Sequence, residues 1–391
     1  MKNGHVERRF APTALMLGNF VNGTAVLAPA GMLDKLSEGL DVTIRDAGLL
    51  ITFGAIVLCI GSPLTAWLTS RIERRVLLTA TLAVIAIANC ASAFAADYVT
   101  LLAVRLIMLA VAALYTPQAA GTAALIVPAE KRGGTIAYIF LGWSLAAAVG
   151  LPLVTFVASR YGWRAAYGGL GFAAWCSFVL LVWRLPGGLK GTPVDLKTWA
   201  EVGRNRLIVL LLLITTLQIA GQFAVFAYMG PLLSRLTQAD SDSVGLVFAT
   251  FGVFGFVGNL IATRLVDSWG SYRTSLFFVA SLLAGASIWA LGAGHFAIMA
   301  AAAAVWGLGF AATNSMQQVR LIGAAPALSA ASVSLNTSAL YVGQAIGSAS
   351  GGMLFARGLL YGACYLSVVF LALALIVVVL TRPRPVAVLS T

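Results

Sequence analysis

The chain has 391 residues, of which 60% are hydrophobic and only 10% charged, and its mean hydropathy is +0.94. A soluble domain carries roughly half apolar and about a quarter charged residues, so a soluble fold is excluded. The net charge of +12 would suit a polyanionic partner, but the placement of the charges argues for membrane topology and against nucleic acid.

Apolar runs follow one another at 10–33, 47–69, 76–96, 99–127, 135–159, 165–183, 207–229, 244–263, 274–292, 296–319, 332–355 and 362–380. Each approaches the roughly 20 residues that a helix needs to cross a hydrocarbon core about 30 Å thick. Their Leu, Ala, Val and Gly content fits helices and not the alternating pattern of a barrel. The expectation is an all-α membrane protein of 12 transmembrane helices. "MKNGHVERRF" followed by an apolar run and "APA" also looks like a cleavable signal peptide. Its removal would leave an odd count and spoil the pairing of halves described below, so the segment is read as the first span.

The first span carries Asn19 and Asn22, three apart and so on one face. Asp34 follows it and Asp46 enters the second span. A charged turn, Ser70, Arg71, Glu73, Arg74 and Arg75 within "LTSRIERRVL", separates spans two and three. Span four holds Arg105, Tyr115, Thr116 and Gln118. Counted from Tyr98, Arg105 lies about 10 Å deep at 1.5 Å per residue, and it is the one Lys or Arg that these spans place inside a helix. Buried, it needs an acceptor such as a carbonyl of a broken neighbouring helix; otherwise it snorkels to the outer interface. In span five Gly142, Gly150 and Pro152 permit close helix approach and weaken the local ladder.

The longest polar interval, Arg184 to Arg206, reads as a linker between an N-terminal bundle over 1–183 and a C-terminal bundle over 207–391. Span seven then carries Gln218 and Gln222, with Tyr228 beyond, and span ten carries Asn314, Gln317 and Gln318. Gly343, Gly347 and Gly351 recur every fourth residue of span eleven, where another backbone can press close. Each amide can line a polar cavity. Each can equally make a helix–helix hydrogen bond, worth about 0.6 kcal/mol in membranes. Asn89 and Asn259 fall outside the pattern and read as structural, and Asn336 and Gln344 suit either role.

With both termini on the cytoplasmic side, 18 of the 25 Lys and Arg fall in cytoplasmic segments, 6 outside and 1 in a span. That excess fixes the orientation by the positive-inside rule, and the expected location is a bacterial inner membrane. Four cysteines sit singly in apolar runs, and His5 and His295 are isolated, so no metal, disulfide framework or cofactor is expected.

The two halves echo each other. "GSPLTAWLTSRIERRVLL" follows the second span and "GNLIATRLVDSWGSYRTSL", with Asp267, follows the eighth. Six spans repeated per half is a known transporter plan. With Arg105 in "AVRLIMLAVAALYTPQAAG", the Gly142–Tyr167 stretch and Ser334–Leu354, the whole chain resembles the major facilitator superfamily. Within that superfamily it is most similar to the twelve-span drug:proton antiporters of the arabinose-efflux-permease type. The resemblance implies two pseudo-symmetric six-helix bundles, alternating access without a catalytic centre, and a substrate path lined by helices 1, 4, 7 and 10. It also implies that Arg105 and the charged turn take part in coupling or gating. The family's acid stands at Ser70 in this chain and its glycine at Glu73, so the family's gating network is not assumed here.

No acid falls within the middle of a span, which leaves Asp34, Asp46 and Asp97 as the nearest proton carriers. An amide-lined, acid-poor cavity suits neutral or anionic small organic substrates better than strongly cationic ones. The expected partners are therefore a small-molecule substrate, the lipid bilayer and protons, bound by a monomer. A facilitator or importer without proton coupling is the alternative, and a non-transporting receptor would be expected to add a soluble domain.

Overall fold

The computed structural model describes residues 3–69, 71–128, 132–190, 201–325 and 328–382. Helices joined by short turns make up these residues, without a strand among them. In the first half they are α1 Asn3–Gly31, α2 Leu33–Leu40, α3 Ile44–Leu68, α4 Arg74–Ala93, α5 Tyr98–Ala112, α6 Tyr115–Ile126, α7 Arg132–Leu145, α8 Leu151–Tyr161 and α9 Trp163–Arg184. The second half has α10 Arg206–Phe226, α11 Met229–Thr237, α12 Ser241–Leu291, α13 Phe296–Ala324, α14 Ser329–Ala356 and α15 Leu360–Leu380. Among the described residues, ten stretches are long and apolar enough to cross a membrane.

Four details differ from the run boundaries. The fourth run is two helices, α5 and α6, broken at Ala113–Leu114. The seventh run ends in a separate short helix, α11. A π turn, Ala146–Gly150, joins α7 to α8 just before Pro152, whose ring cannot sit against a regular ladder. The polar stretch around Asp267 belongs to the helix of the eighth run, and α12 is two helical arms that meet at Gly270, where φ 75° and ψ 160° break the helix. That backbone suits a residue without a Cβ.

The apolar cores place the two halves. At one end a single core spans both. It joins Leu33, Leu50 and Leu151 of the first half to Phe226, Leu232 and Phe251 of the second. Towards the opposite end the cores divide, Leu15, Leu82 and Met108 in the first half, joined by Tyr341 of the second, and Ile208, Val279 and Leu321 in the second alone. The molecule is sealed at the end away from its termini and parted at the other.

Hydrogen bonds across the seam follow the same gradient. Arg160 pairs with Asp242 at 3.1 Å near the sealed end. Thr52 and Ser348 hydroxyls meet at 2.9 Å, and Ser338 Oγ donates to the Cys59 carbonyl at 3.2 Å. Among the described residues no hydrogen bond joins the halves beyond that point. The Tyr228 hydroxyl fills a notch that a Cβ on Gly48 or Gly352 would occupy, and Gly252 lies directly against the backbone of Ala148 in the π turn.

Glycine spacing sets the closest contacts inside each half. Gly343, Gly347 and Gly351 of α14 lie against Thr216, Ala220 and Ala224 of α10. Gly142 faces the α1 backbone at Met16 and Phe20, and Gly150 faces Thr24.

The charged turn has a different job from a loop exposed to water. Glu73 Oε1 accepts the Gly188 N–H at 2.5 Å, and the Arg74 N–H donates to the Leu189 carbonyl at 2.8 Å. Arg75 Nη2 donates to the Val182 carbonyl at 2.6 Å. The turn therefore clamps the chain just after α9, at Gly188 and Leu189, to the start of α4.

Gly347→Val should lower thermal stability by about 1–3 kcal/mol through forced separation of α10 and α14. Unfolding of purified protein in detergent measures this, and an unchanged midpoint would refute the close approach. Glu73→Ala should speed trypsin cleavage after Lys190 about fivefold, the value of about 1 kcal/mol for the lost bond. Glu73→Gln keeps an acceptor and should cleave at close to the parental rate.

Candidate functional site

A polar atom buried in hydrocarbon without a partner costs several kcal/mol. The polar side chains inside the bundle therefore divide by whether the protein itself satisfies them. Asn19 is satisfied: its Nδ2 donates to the Ile139 carbonyl at 2.9 Å, and its Oδ1 accepts from Thr116 at 2.7 Å. Trp143 Nε1 completes that chain by donating to Thr116 at 2.9 Å. The Tyr115 hydroxyl donates to the Leu15 carbonyl at 3.3 Å. Gln118 accepts from Arg74 Nη1, which ties it to the charged turn and away from a path through the middle.

In the second half Asn314 accepts from Asn336 at 3.2 Å, and Asn336 accepts from Thr215 at 2.6 Å. Gln317 donates to the Leu211 carbonyl at 3.0 Å and accepts from Arg320 at 3.3 Å. Gln318 is half-buried. Asn259 accepts from Ser315 at 2.8 Å, and Asn89 donates to the Ile85 carbonyl at 2.8 Å.

Three of the predicted cavity amides are left with open capacity, and outside that set so is Asn89, whose Oδ1 is buried without a partner. Asn22 Oδ1, both polar atoms of the Gln218 side chain, and Gln222 Oε1 are buried without a protein partner. The Gln222 amide nitrogen donates to the Gln218 carbonyl at 3.1 Å, which fixes the orientation of its oxygen. α1 and α10 open the two halves, so these amides come from corresponding positions of each.

Arg105 is 1% exposed and does not reach an interface. Its Nη2 donates to the Ala25 carbonyl at 3.2 Å, while Nε and Nη1 have no partner. The guanidinium lies 5.6 Å from the centre of the Tyr167 ring, so the ring face supplies part of the missing counter-charge. No Asp or Glu among the described residues is buried.

The remaining charged residues separate into caps, surface groups and one exception. Asp46 is a cap, accepting from Thr43 Oγ1 at 2.7 Å while its N–H donates back. Asp97 caps α5, and the Thr100 N–H holds its carboxyl below the usual range; it stays ionised and suits no proton carrier. Arg71 and Asp267 are exposed, and Ser70 lies outside the described residues. The exception is Asp34, half-buried at the sealed end.

Two residues went unseen in the sequence. Arg320 is buried like Arg105 and Arg74, since α13 runs on to Ala324 beyond the apolar run. It donates to Thr381 Oγ1 at 2.6 Å and faces the Tyr272 ring at 5.6 Å. Tyr167 had no signal of its own, because its role arises only from its place beside Arg105. No group of His, Cys, Asp and Glu that could hold a metal occurs among the described residues.

The family model described as Major Facilitator Superfamily matches this chain twice, over residues 15–237 and 211–391. The inner membrane transport protein YdhP of Escherichia coli strain K12 is 30% identical over 351 residues, 89% of each chain. A probable sugar efflux transporter of Mannheimia succiniciproducens is 26% identical over 81% of this chain and 80% of its own. Among solved structures, a D-xylose–proton symporter superposes with a TM-score of 0.75 at 16% identity, covering 96% of this chain and 98% of its own. A bacterial homologue of the lysosomal transporter Spinster, inward-facing and occupied, gives 0.74 at 15% identity over 97% and 99%. Twin sets of membrane helices, sealed at one end and parted at the other around buried amides, are thus those of a secondary transporter working by alternating access, and the chain belongs to the Major Facilitator Superfamily.

Proposed function

We propose that this transporter exports a small neutral or anionic organic compound across a bacterial inner membrane, as a monomer of twelve crossings in two six-helix halves. The carrying observation is the set of buried, unpartnered amide atoms on Asn22, Gln218 and Gln222 combined with the lack of any buried acid among the described residues. Amides both donate and accept, which matches hydroxyl-rich or amide-bearing ligands. A cationic drug would be left without a counter-charge. Several relatives named as probable sugar efflux transporters support a polyhydroxylated substrate. Arg105, with two unpartnered donors, would favour a ligand carrying a carboxylate or other anionic group.

The positive-inside distribution places both termini and the parted end in the cytoplasm. This arrangement is then the inward-open state, with substrate entering from the cytoplasmic side. Protons are the proposed coupling ion, as in the twelve-span drug:proton antiporters that the motifs resemble. Asp34 is the proposed proton-binding group, since Asp46 and Asp97 serve as helix caps. Uncoupled facilitation is the second reading, favoured by the acid-free centre of the spans.

Transport in proteoliposomes with a panel of sugars, nucleosides, amphenicols and organic acids, with and without a pH gradient, tests both readings. Gln222→Ala should raise KM about fivefold for the true substrate, the value of about 1 kcal/mol for one lost hydrogen bond. Arg105→Ala should lower turnover more strongly for anionic than for neutral substrates. Unchanged kinetics in both variants would remove these residues from the path, and transport indifferent to the gradient would establish the uncoupled reading.

A further inference from the structure

Between the halves, at the sealed end, lies a cavity of about 40 Å³, large enough for about three water molecules. Gly31, Asp34, Thr155 and Ser159 line it from the first half, and Gly230 and Ser234 from the second. Asp34 Oδ2 lies 3.9 Å from where a Cβ on Gly230 would stand. The carboxylate therefore stands at the seam itself, half-buried while the halves are closed.

Nearby cations do not neutralise it. Lys35 is held by Glu38 at 2.7 Å, and the Arg235 guanidinium is drawn over the Phe355 ring at 4.7 Å. Arg160 is paired with Asp242. Among the described residues Asp34 has no ion pair and its carboxylate accepts no hydrogen bond. Burial pushes its carboxyl above the ordinary value of 3.8, with Glu38 adding to the rise and Arg235 and Lys35 opposing it. Its place in the first turn of α2 would favour the ionised form through the helix dipole, and desolvation outweighs that.

We propose that Asp34 is a proton-binding site of the outer gate, taking a proton from the external solution as the halves close over it and returning it as they part. The sign follows from linkage. When the gate opens, the carboxyl is solvated and its affinity for the proton falls to that of an ordinary aspartate. The sealed form binds the proton more tightly, so protonation stabilises sealing. That stabilisation is complete below the open-state pKa and is lost as pH rises through the higher, sealed-state pKa. External acid should bias the protein towards its inward-open form and external alkali towards opening outward. The gate responds to protons alone, although its outer placement rests on the transporter reading above.

Spin labels on Tyr161→Cys and Leu291→Cys, in protein with the four native cysteines replaced and held in lipid nanodiscs, read the width of the seam without substrate. Both positions are highly exposed at the sealed end. As the pH is raised from below the ordinary aspartate value of 3.8, the long-distance population should grow severalfold. In Asp34→Asn, which stays neutral, the short-distance population should persist across the range. Arg235→Gln removes a cation that opposes protonation and should move the midpoint to higher pH. A distance distribution indifferent to pH in the parent protein would overturn the proposal, as would a pH response that survives in Asp34→Asn. If the Asn variant does not fold, an unmoved midpoint in Arg235→Gln overturns it as well. Failure of the export assay with this response intact would count against the substrate reading alone.

Discussion

Lipid offers helices no hydrophobic reason to associate, so the bundle depends on how near two backbones can come. Gly343, Gly347 and Gly351 bring α14 onto α10, and Gly142 brings α7 onto α1. Once these approaches are set, the positions of the polar side chains follow. The contacts between the halves are built differently. They use one tyrosine in a glycine notch, one bare backbone touch at Gly252, and a few hydroxyl bonds. Contacts within a half rest on close backbone approach, whereas those between the halves combine the shared apolar core at the sealed end with a few polar bonds. A molecule that rocks needs that division.

The polar residues sort along the same line. Asn19, Tyr115, Asn314 and Gln317 are fully engaged in joining helices of one half. They are glue, and moving them would cost the fold. Asn22, Gln218 and Gln222 keep unused hydrogen-bonding capacity, which gives a polar ligand something to gain. Arg105 stands between the classes, half satisfied by a carbonyl and a ring face. Its two unpartnered nitrogens are hydrogen-bonding capacity that the fold does not use.

Most of the architecture could be read in advance because crossing a bilayer is a one-dimensional constraint. Every crossing must be apolar over a fixed length, and the runs show it. Membership of the superfamily was likewise legible, carried by five motifs in order and not by any one. What escaped were partners set by the third dimension. Glu73 was read only as part of a charged turn, and that its carboxylate takes the Gly188 N–H could not be seen. Gln118 shares a helix face with good cavity candidates, yet Arg74 reaches it first. Arg320 was missed because hydropathy marks where an apolar run stops, while the helix itself continued. Which amides remain free could not be seen at all, since that depends on whether a neighbour's carbonyl happens to face them.

The bend at Gly270 carries a mechanical implication. Two successive crossings of α12 meet at one residue whose neighbours on both sides are helical. There is no slack between them. Tilting the first arm, which touches the other half at Gly252, must swing the second arm about a single pivot, as a bell-crank turns one push into another. The second half can thus carry a small displacement at the seam into the arm that follows Gly270.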